Sequence, residues 1–521
     1  MAAEVPLDPA LRMQDELRRA ERSMPAAPSA SRAEAAESVP PPQTSVLQGR
    51  IFLRQVLFSP SELLTESQLQ DVVKPYLGRE VGSDDLNALL RDIQALYLSQ
   101  DVQSAVPVVP PQDLKAGELK VLLVEGTLGE VRFSGSNRPD PAWLSRWFDL
   151  PTGEVVRSQA LTQRLEVFNA ASDFTAQGQF VAGQQFGKTD LEIALPEPVT
   201  TQYWALTEVP GLGSGRTLGN SMMAGLRYYP VSSLGGRIDA TAIAGPTAYT
   251  LSVSGGLPLG YEGWRLAASL SASRSRTVVT STSVDASDLV IDGESSSAGL
   301  ELMRHVYAWP GQVWRFSGAL LQLQSSSNVD GNTLTDRSVQ RFSLVAATDW
   351  PLDSGAAHER ASLRLTLNSG KGRENSYSYA EAFGSVAYRL HGPLGPVMRL
   401  NGQARLMNSH RPDAADVWIA GGSASVRGFD PGSVFGSSGQ ALQVALHQPL
   451  LIQGIDASET FVFSDHARVS SDGNSRRIGS VGMGLQFQFQ RRWMFETAIT
   501  RQTQGFQGPR TRWLARASVF W

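Results

Sequence analysis

The 521-residue chain predicts an all-β transmembrane barrel of about sixteen antiparallel strands, preceded by two small α+β modules and an N-terminal helix. Three observations carry this prediction. From Tyr203 to the last residue apolar and polar side chains alternate with period two, the pattern of strands with one apolar and one wet face. The chain is 41% hydrophobic, yet no run of about 18 apolar residues offers a spanning helix. Residues 45–198 instead carry two successive rounds of mixed helix and strand patterns.

Composition agrees. The 48 glycines suit many tight turns, and the mean hydropathy of −0.17 is what alternation produces when it interleaves apolar with polar positions. Cysteine is absent, which removes disulfide frameworks and thiolate metal sites and fits an oxidising compartment. The net charge of −4 and the absence of a basic run argue against a nucleic-acid partner. Met1-Ala2-Ala3-Glu4-Val5-Pro6 has neither a basic nor an apolar region of an export signal, so the expectation is a mature chain carrying an added or retained Met; a cytosolic protein is the alternative.

Pro9–Ser23 has helical patterning with Leu11, Leu17 and few other apolar positions, and so predicts a helix with little surface to bury against a core. The Pro, Ala and Ser that follow, through Pro40-Pro41-Pro42, predict an extended linker, so that residues 1–44 read as a tethered helix; a disordered tail fits the same composition. The first module, 45–126, predicts a strand at Arg50–Leu57, helices at Glu62–Tyr76 and Ser83–Ser99 and a strand at Glu118–Glu125. The second, 127–200, predicts strands at Gly129–Phe133, Gln177–Ala182 and Leu191–Leu195 around helices at Pro141–Leu150 and Ser158–Phe168.

In the barrel region, 201–521, Val481, Met483, Leu485, Phe487 and Phe489 share one face of Gly479–Gln490, with glycine, serine and glutamine on the other. The same alternation recurs at Arg265–Ser273, Ala441–His447 and Trp513–Trp521, in runs near the ~10 residues a tilted strand needs to cross a bilayer. A soluble sandwich or propeller also alternates, but its second face carries more charge. Trp513, Ala515, Ala517, Val519 and Trp521 place aromatics at both ends of one lipid-facing row, and the terminal Trp521 resembles the assembly signal of outer-membrane barrels.

No catalytic or cofactor signature withstands scrutiny. Gly187-Lys188-Thr189 lacks the glycine five positions earlier, where Ala182 stands, and lacks the strand-to-helix turn of a phosphate loop. Gly211-Leu212-Gly213-Ser214-Gly215 falls between strands and reads as a turn. Gly436-Ser437-Ser438-Gly439 misses the spacing of a nucleophile elbow, and the six histidines show no zinc spacing. No metal, cofactor or enzymatic activity is expected, although a hydrolase working from the barrel wall would leave little local signature.

Two segments stand out. Gly421 to Phe429, with Val426-Arg427-Gly428-Phe429 at its end, falls in the long segment between the eleventh and twelfth expected strands, which strand parity makes a cell-surface loop. Phe463-Ser464-Asp465-His466-Ala467 falls in the thirteenth, with Asp465 on the lumen parity. If the loop folds inward, Arg427 can pair with Asp465 in a partly dehydrated channel. The alternatives are a solvated loop arginine and a carboxylate that wets the lumen.

Val426-Arg427-Gly428-Phe429 resembles the loop motif of the superfamily of outer-membrane insertases and translocators, and Phe463-x-Asp465 resembles its strand partner; Ala467 stands where the family usually has glycine, which leaves less room for a close backbone approach. Within the superfamily the chain is similar to the two-partner secretion transporters, the TpsB class (ShlB/FhaC/HecB-like). The N-terminal helix with its Pro-rich linker, two POTRA modules and the barrel length carry this likeness. So do Pro111-Gln112-Asp113-Leu114, Gly117-Glu118-Leu119 and Val124-Glu125-Gly126 in the first module, and Asn169 to Phe174 and Gly187 to Leu191 in the second. The resemblance implies a pore that moves one dedicated, unfolded TpsA-type exoprotein from periplasm to cell surface, with outer-membrane lipid around it. It implies periplasmic chaperones and the barrel-assembly machinery as partners in biogenesis, and a helix that occupies the lumen at rest. An insertase for other outer-membrane proteins and a diffusion porin are the competing readings.

Overall fold

The structure is a computed structural model and describes residues 8–23, 50–212, 221–279 and 289–521, apart from 103, 115, 156, 186, 330, 353–358, 374, 393, 409–411, 472 and 507. The Pro-rich linker and Gly213-Ser214-Gly215 lie outside the described residues. The chain divides into two units, one of Met1–Pro28, Ala171–Asp173 and Val199–Trp521, the other of Ser29–Ala170 and Phe174–Pro198.

In the second unit, the expected strand Arg50–Leu57 is two strands, Ile51–Leu53 and Gln55–Phe58, in different sheets. The break lies at Arg54, where the backbone N–H groups of Arg54 and Gln55 both donate to the carbonyl of Gly117. Ile51–Leu53 pairs with Arg79–Val81, while Gln55–Phe58 lies parallel to Glu118–Glu125, with Ala105–Val108 on the other side. The first helix starts at Glu66, four residues later than its periodicity predicts. Thr65 and Gln68 form a capping box there, and the Ser61 hydroxyl accepts from the N–H groups of Leu63 and Leu64, which holds the preceding residues in a turn. Helix Ser83–Ser99 turns Leu86, Leu89, Leu90, Ile93 and Tyr97 onto Leu53, Val56, Leu119 and Val121. The remaining sheet runs Thr127–Gly135, Lys188–Leu195, Gln177–Ala182, under helices Pro141–Trp147 and Ser158–Ala171. Trp143, Trp147 and Phe148 close on Phe168 with ring centroids 5.3–5.5 Å apart, an aromatic core.

The first unit is a closed barrel of sixteen antiparallel strands, each bonded to its sequence neighbours, as the alternation predicts. Several strands exceed the ~10 residues that crossing requires. Leu289–Trp309 has 21 residues and Asn332–Pro351 has 20, so these hairpins continue pairing past the bilayer. The ring closes between the sixteenth strand, Thr511–Phe520, and the first, Thr201–Leu212. Beyond the last strand residue, Trp521 and Tyr203 exchange both backbone hydrogen bonds, at 2.7 and 3.0 Å, and stack their rings. The outward rows are apolar: Leu266 and Leu270, Leu300 and Leu302, Val481, Met483 and Leu485 all lie open on the outer face.

The N-terminal helix Pro9–Ser23 is not the poorly buried tether that its composition predicts. Ala10, Leu11 and Met13 are buried, as are Asp15 and Glu16. The difference has a physical cause: the surface that takes the helix is the polar inner wall of the barrel, which satisfies charged and hydroxyl groups where an apolar core could not. Asp8 accepts from the Ala10 N–H at 2.9 Å and from the Ser325 hydroxyl at 2.8 Å, and Thr250 donates to Glu16 at 2.6 Å. Ala10 and Met13 pack with Leu323, Val339, Tyr377 and Tyr379 of the wall.

Candidate functional site

The segment between the eleventh strand, Val397–Met407, and the twelfth, Ser438–Leu450, folds back into the barrel rather than standing over it. It carries a 3-10 turn at Ala414–Asp416 and a small hairpin of Trp418–Ala420 with Val434–Gly436. At the hairpin tip Gly421 and Gly422 have φ of +123° and +77°, and the Ser425 hydroxyl accepts from the Gly421 N–H at 2.7 Å. Gly422 donates to the Phe429 carbonyl at 2.9 Å, which closes the tip on itself. The sequence folds this way because glycine admits the left-handed backbone that reverses the chain twice in nine residues, Gly421 to Phe429.

Val426 and Phe429 are fully buried, in a cluster with Trp418, Ala467, Val469 and Ile478 that fastens the loop to the wall. Between them Arg427 reaches the thirteenth strand, Ala457–Ser471, where Asp465 is completely enclosed. Nε donates to Oδ2 and a terminal nitrogen to Oδ1, each at 2.7 Å, and the Arg427 backbone N–H adds a third bond at 3.0 Å. The guanidinium carbon stands 3.6 Å from the centroid of the Phe463 ring, a cation–π contact on its face. This bidentate fork is what arginine supplies and lysine cannot. Gly428, at φ +84°, lies against Thr500, and its carbonyl accepts from Gln502 at 2.8 Å. Asp430 then pairs with Arg512 of the sixteenth strand at 2.8 Å.

Of the residues the sequence singles out, the structure thus brings together Val426, Arg427, Gly428, Phe429, Phe463, Asp465 and Ala467. The Ala467 methyl belongs to the apolar cluster beside Phe429. Trp521 lies apart, at the seam with Tyr203.

A second anchor was not legible in the sequence. Asp416, 2% exposed, accepts from Arg341 at 3.0 Å, Tyr379 at 2.8 Å and Tyr377 at 3.0 Å, while Arg405 donates to its carbonyl at 2.6 Å. Arg405 in turn holds Glu381, its partner across the sheet, at 2.9 Å. The same turn touches the N-terminal helix, for Gln14 donates to the Ala415 carbonyl at 3.3 Å. One chain segment therefore meets the helix at its start and carries Arg427 at its tip. The residues around Asp416 come from three separate strands and a loop, with no local pattern to connect them.

Among the described residues no group of histidines and carboxylates could hold a metal.

Comparison with known proteins places this geometry. A POTRA-domain model of ShlB type matches residues 51–126, and a model described as haemolysin secretion/activation protein ShlB/FhaC/HecB matches residues 232–488. The heme/hemopexin transporter protein HuxB of Haemophilus influenzae (strain 86-028NP) is 27% identical over 143 residues, which are 27% of this chain and only 25% of that protein. The structure of CdiB from Escherichia coli superposes with a TM-score of 0.71 at 15% identity, covering 99% of this chain and 100% of that one. CdiB from Acinetobacter baumannii gives 0.65 at 18% identity, covering 98% and 97%. The last two show a shared fold. It is the two family models, one on the first module and one on the barrel, that identify the chain as belonging to the ShlB/FhaC/HecB family of haemolysin secretion/activation proteins.

Proposed function

We propose that this chain secretes one dedicated exoprotein across the outer membrane. The barrel sits in that membrane, with the module region in the periplasm. The observation that carries the reading is the loop drawn back into the lumen and held by Arg427 on the buried Asp465. The charged fork fixes that loop inside the channel, at a point that a threading client has to pass. Residues 45–126 and 127–200 act as two POTRA modules that receive the client, residues 201–521 as the conducting barrel, and residues 1–44 as a plug-like helix with its linker, the helix filling the lumen at rest. Each three-stranded sheet of the module region has edge strands, Ala105–Val108 and Gln177–Ala182 among them, that suit capture of an extended client by strand addition.

No nucleotide or metal is required, because a client that folds outside cannot return, and its folding free energy biases the direction. The client is a TpsA-type exoprotein. During its own assembly the barrel passes through periplasmic chaperones and the barrel-assembly machinery, with Trp521 as the terminal signal, and ends in outer-membrane lipid.

The test is to search the genes beside this one for a large, repeat-rich exoprotein and to co-express the two. Client in the medium, lost when this chain is deleted while porin levels stay normal, supports export. A broad fall in porins instead supports the insertase reading, and steady solute-selective conductance of the intact protein supports a porin.

A further inference from the structure

The outer face of the barrel carries a second charged site, unrelated to the lumen. On the thirteenth strand Ser464, His466 and Arg468 share the outward parity with Val462, which is 52% exposed. On the fourteenth, Asn474–Phe489, Arg477 and Gly479 share it with Val481 and Met483; on the fifteenth, Trp493–Gln504, Arg501 and Thr503 share it with Ile499. Arg468 and Arg477 are directly opposite each other in the ladder, and Arg501 is opposite Val481, one outward position below Gly479. All three arginines are exposed, and their guanidiniums make no hydrogen bond or ion pair with another described residue. No described outward residue at this level of strands twelve to sixteen is acidic.

Like charges opposite one another on a sheet repel, and elsewhere this barrel pairs such residues: Arg274 meets Glu294 and Arg276 meets Asp292 across strands. An unpaired arginine couple therefore calls for an anion from outside the chain.

The centre of the cluster is shaped to receive one. Gly479 is buried beneath its neighbours: a Cβ there would come within 2.9 Å of His466 Nδ1 and 3.0 Å of Thr503 Oγ1, so these two polar atoms converge over the glycine at one point of the outward surface. The Ser464 hydroxyl engages the other ring nitrogen of His466 at 2.9 Å and orients the ring. Arg468 and Arg477 stand above this point and Arg501 below it to one side, with apolar Val481 and Met483 continuing down the wall. Both hairpin directions put this cluster at the cell-surface end, where apolar lipid contact gives way to headgroups. Forked guanidiniums around an imidazole and a hydroxyl are the chemistry that binds phosphate, and the apolar row beneath is the chemistry that binds acyl chains.

We propose that Arg468, Arg477 and Arg501, around His466 and Thr503, bind the phosphate of an anionic lipid headgroup in the outer leaflet. The assignment rests on the outer-membrane orientation but not on export, and its test reads lipid retention rather than secretion, so failure of either leaves the other standing.

The full chain in detergent, stripped of lipid, is titrated with a bisphosphorylated disaccharide glycolipid (lipid A), with the same lipid dephosphorylated, and with inorganic phosphate, and bound species are counted by native mass spectrometry. The wild type is expected to retain the phosphorylated lipid at least tenfold better than the dephosphorylated one. Arg468→Gln/Arg477→Gln/Arg501→Gln removes three charges and lowers that retention on the order of a hundredfold. Gly479→Leu keeps the charges, pushes the His466 ring and the Thr503 hydroxyl apart and also abolishes the preference. Arg274→Gln/Arg276→Gln, on ion-paired arginines of another wall, leaves it intact. Equal retention of the two lipids, an equal loss in the Arg274/Arg276 variant, or inorganic phosphate binding as tightly as the lipid would overturn the proposal.

Discussion

Asp465, fully enclosed in the barrel wall, has both carboxylate oxygens taken by Arg427, at 2.7 Å each, and a third bond from the Arg427 backbone N–H. The pair joins a loop tip to a strand 38 residues away in sequence. Removing the arginine leaves an uncompensated buried carboxylate, which costs about 3–5 kcal/mol. Arg427→Ala is therefore expected to free the loop and abolish secretion while the barrel still assembles, seen as an unchanged heat-modifiable band. Arg427→Lys is expected to fail nearly as badly, since an ammonium cannot make the fork. Wild-type secretion by Arg427→Ala rules out a role for the pair.

Gly428 and Gly454 separate backbone strain from crowding. Both have φ above +80°, but a Cβ at Gly428 would lie 2.6 Å from Thr500 Cγ2, whereas at Gly454 it would meet nothing within 4 Å. Gly454→Ala should cost only the ~1–2 kcal/mol of the left-handed backbone. Gly428→Ala should cost more and release the loop to proteolysis. Limited digestion of the two variants compares them directly, and equal protection of the loop refutes the crowding argument.

The N-terminal helix should gate conductance. Met13 is completely buried among Leu323, Val339, Tyr377 and Tyr379, with the Ser295 hydroxyl 3.5 Å from its sulfur, so Met13→Glu places a carboxylate on the apolar side of the helix, where one hydroxyl compensates only part of its burial. In planar bilayers, deletion of residues 1–42 is expected to convert rare, small openings into large, persistent ones, with Met13→Glu between the deletion and the wild type. Identical traces for all three mean that the helix does not block the pore.

The first module should show a definable acid sensitivity. The Asp85 carboxyl is held below the ordinary carboxylate range, first by the hydrogen bond from the Gly82 N–H and then by Arg79, 3.0 Å away. A depressed folded-state value stabilises the fold above the unfolded pKa, near ~3.9, and the contribution disappears as pH falls through the lower folded value. Amide exchange in helix Ser83–Ser99 should accelerate as pH drops below about 4 in the wild type, relative to Asp85→Asn, in which that contribution is already gone. Parallel curves for the two proteins contradict it.

What the sequence determined by itself is whatever depends on local periodicity. Alternation from Tyr203 onward gave the sixteen-stranded barrel, because a strand shows its two solvents to its neighbours at period two. It also gave the parity that turns Asp465 inward, and the strand count that sets the loop of Arg427 between strands eleven and twelve. Helix Ser83–Ser99 was legible to the residue because its apolar face repeats within it. Tertiary structure decided the rest. Leu53 and Gln55 belong to different sheets because Gly117, over sixty residues on, takes the N–H groups of Arg54 and Gln55. The polar N-terminal helix is buried because a wet lumen, unlike a core, can satisfy Asp8 and Glu16 through Ser325 and Thr250. The Asp416 anchor and the arginine cluster around Gly479 exist only once separate strands are laid side by side. Periodicity tells a side chain which way to face; which distant partner it finds there is set by strand register, and register is a property of the closed sheet.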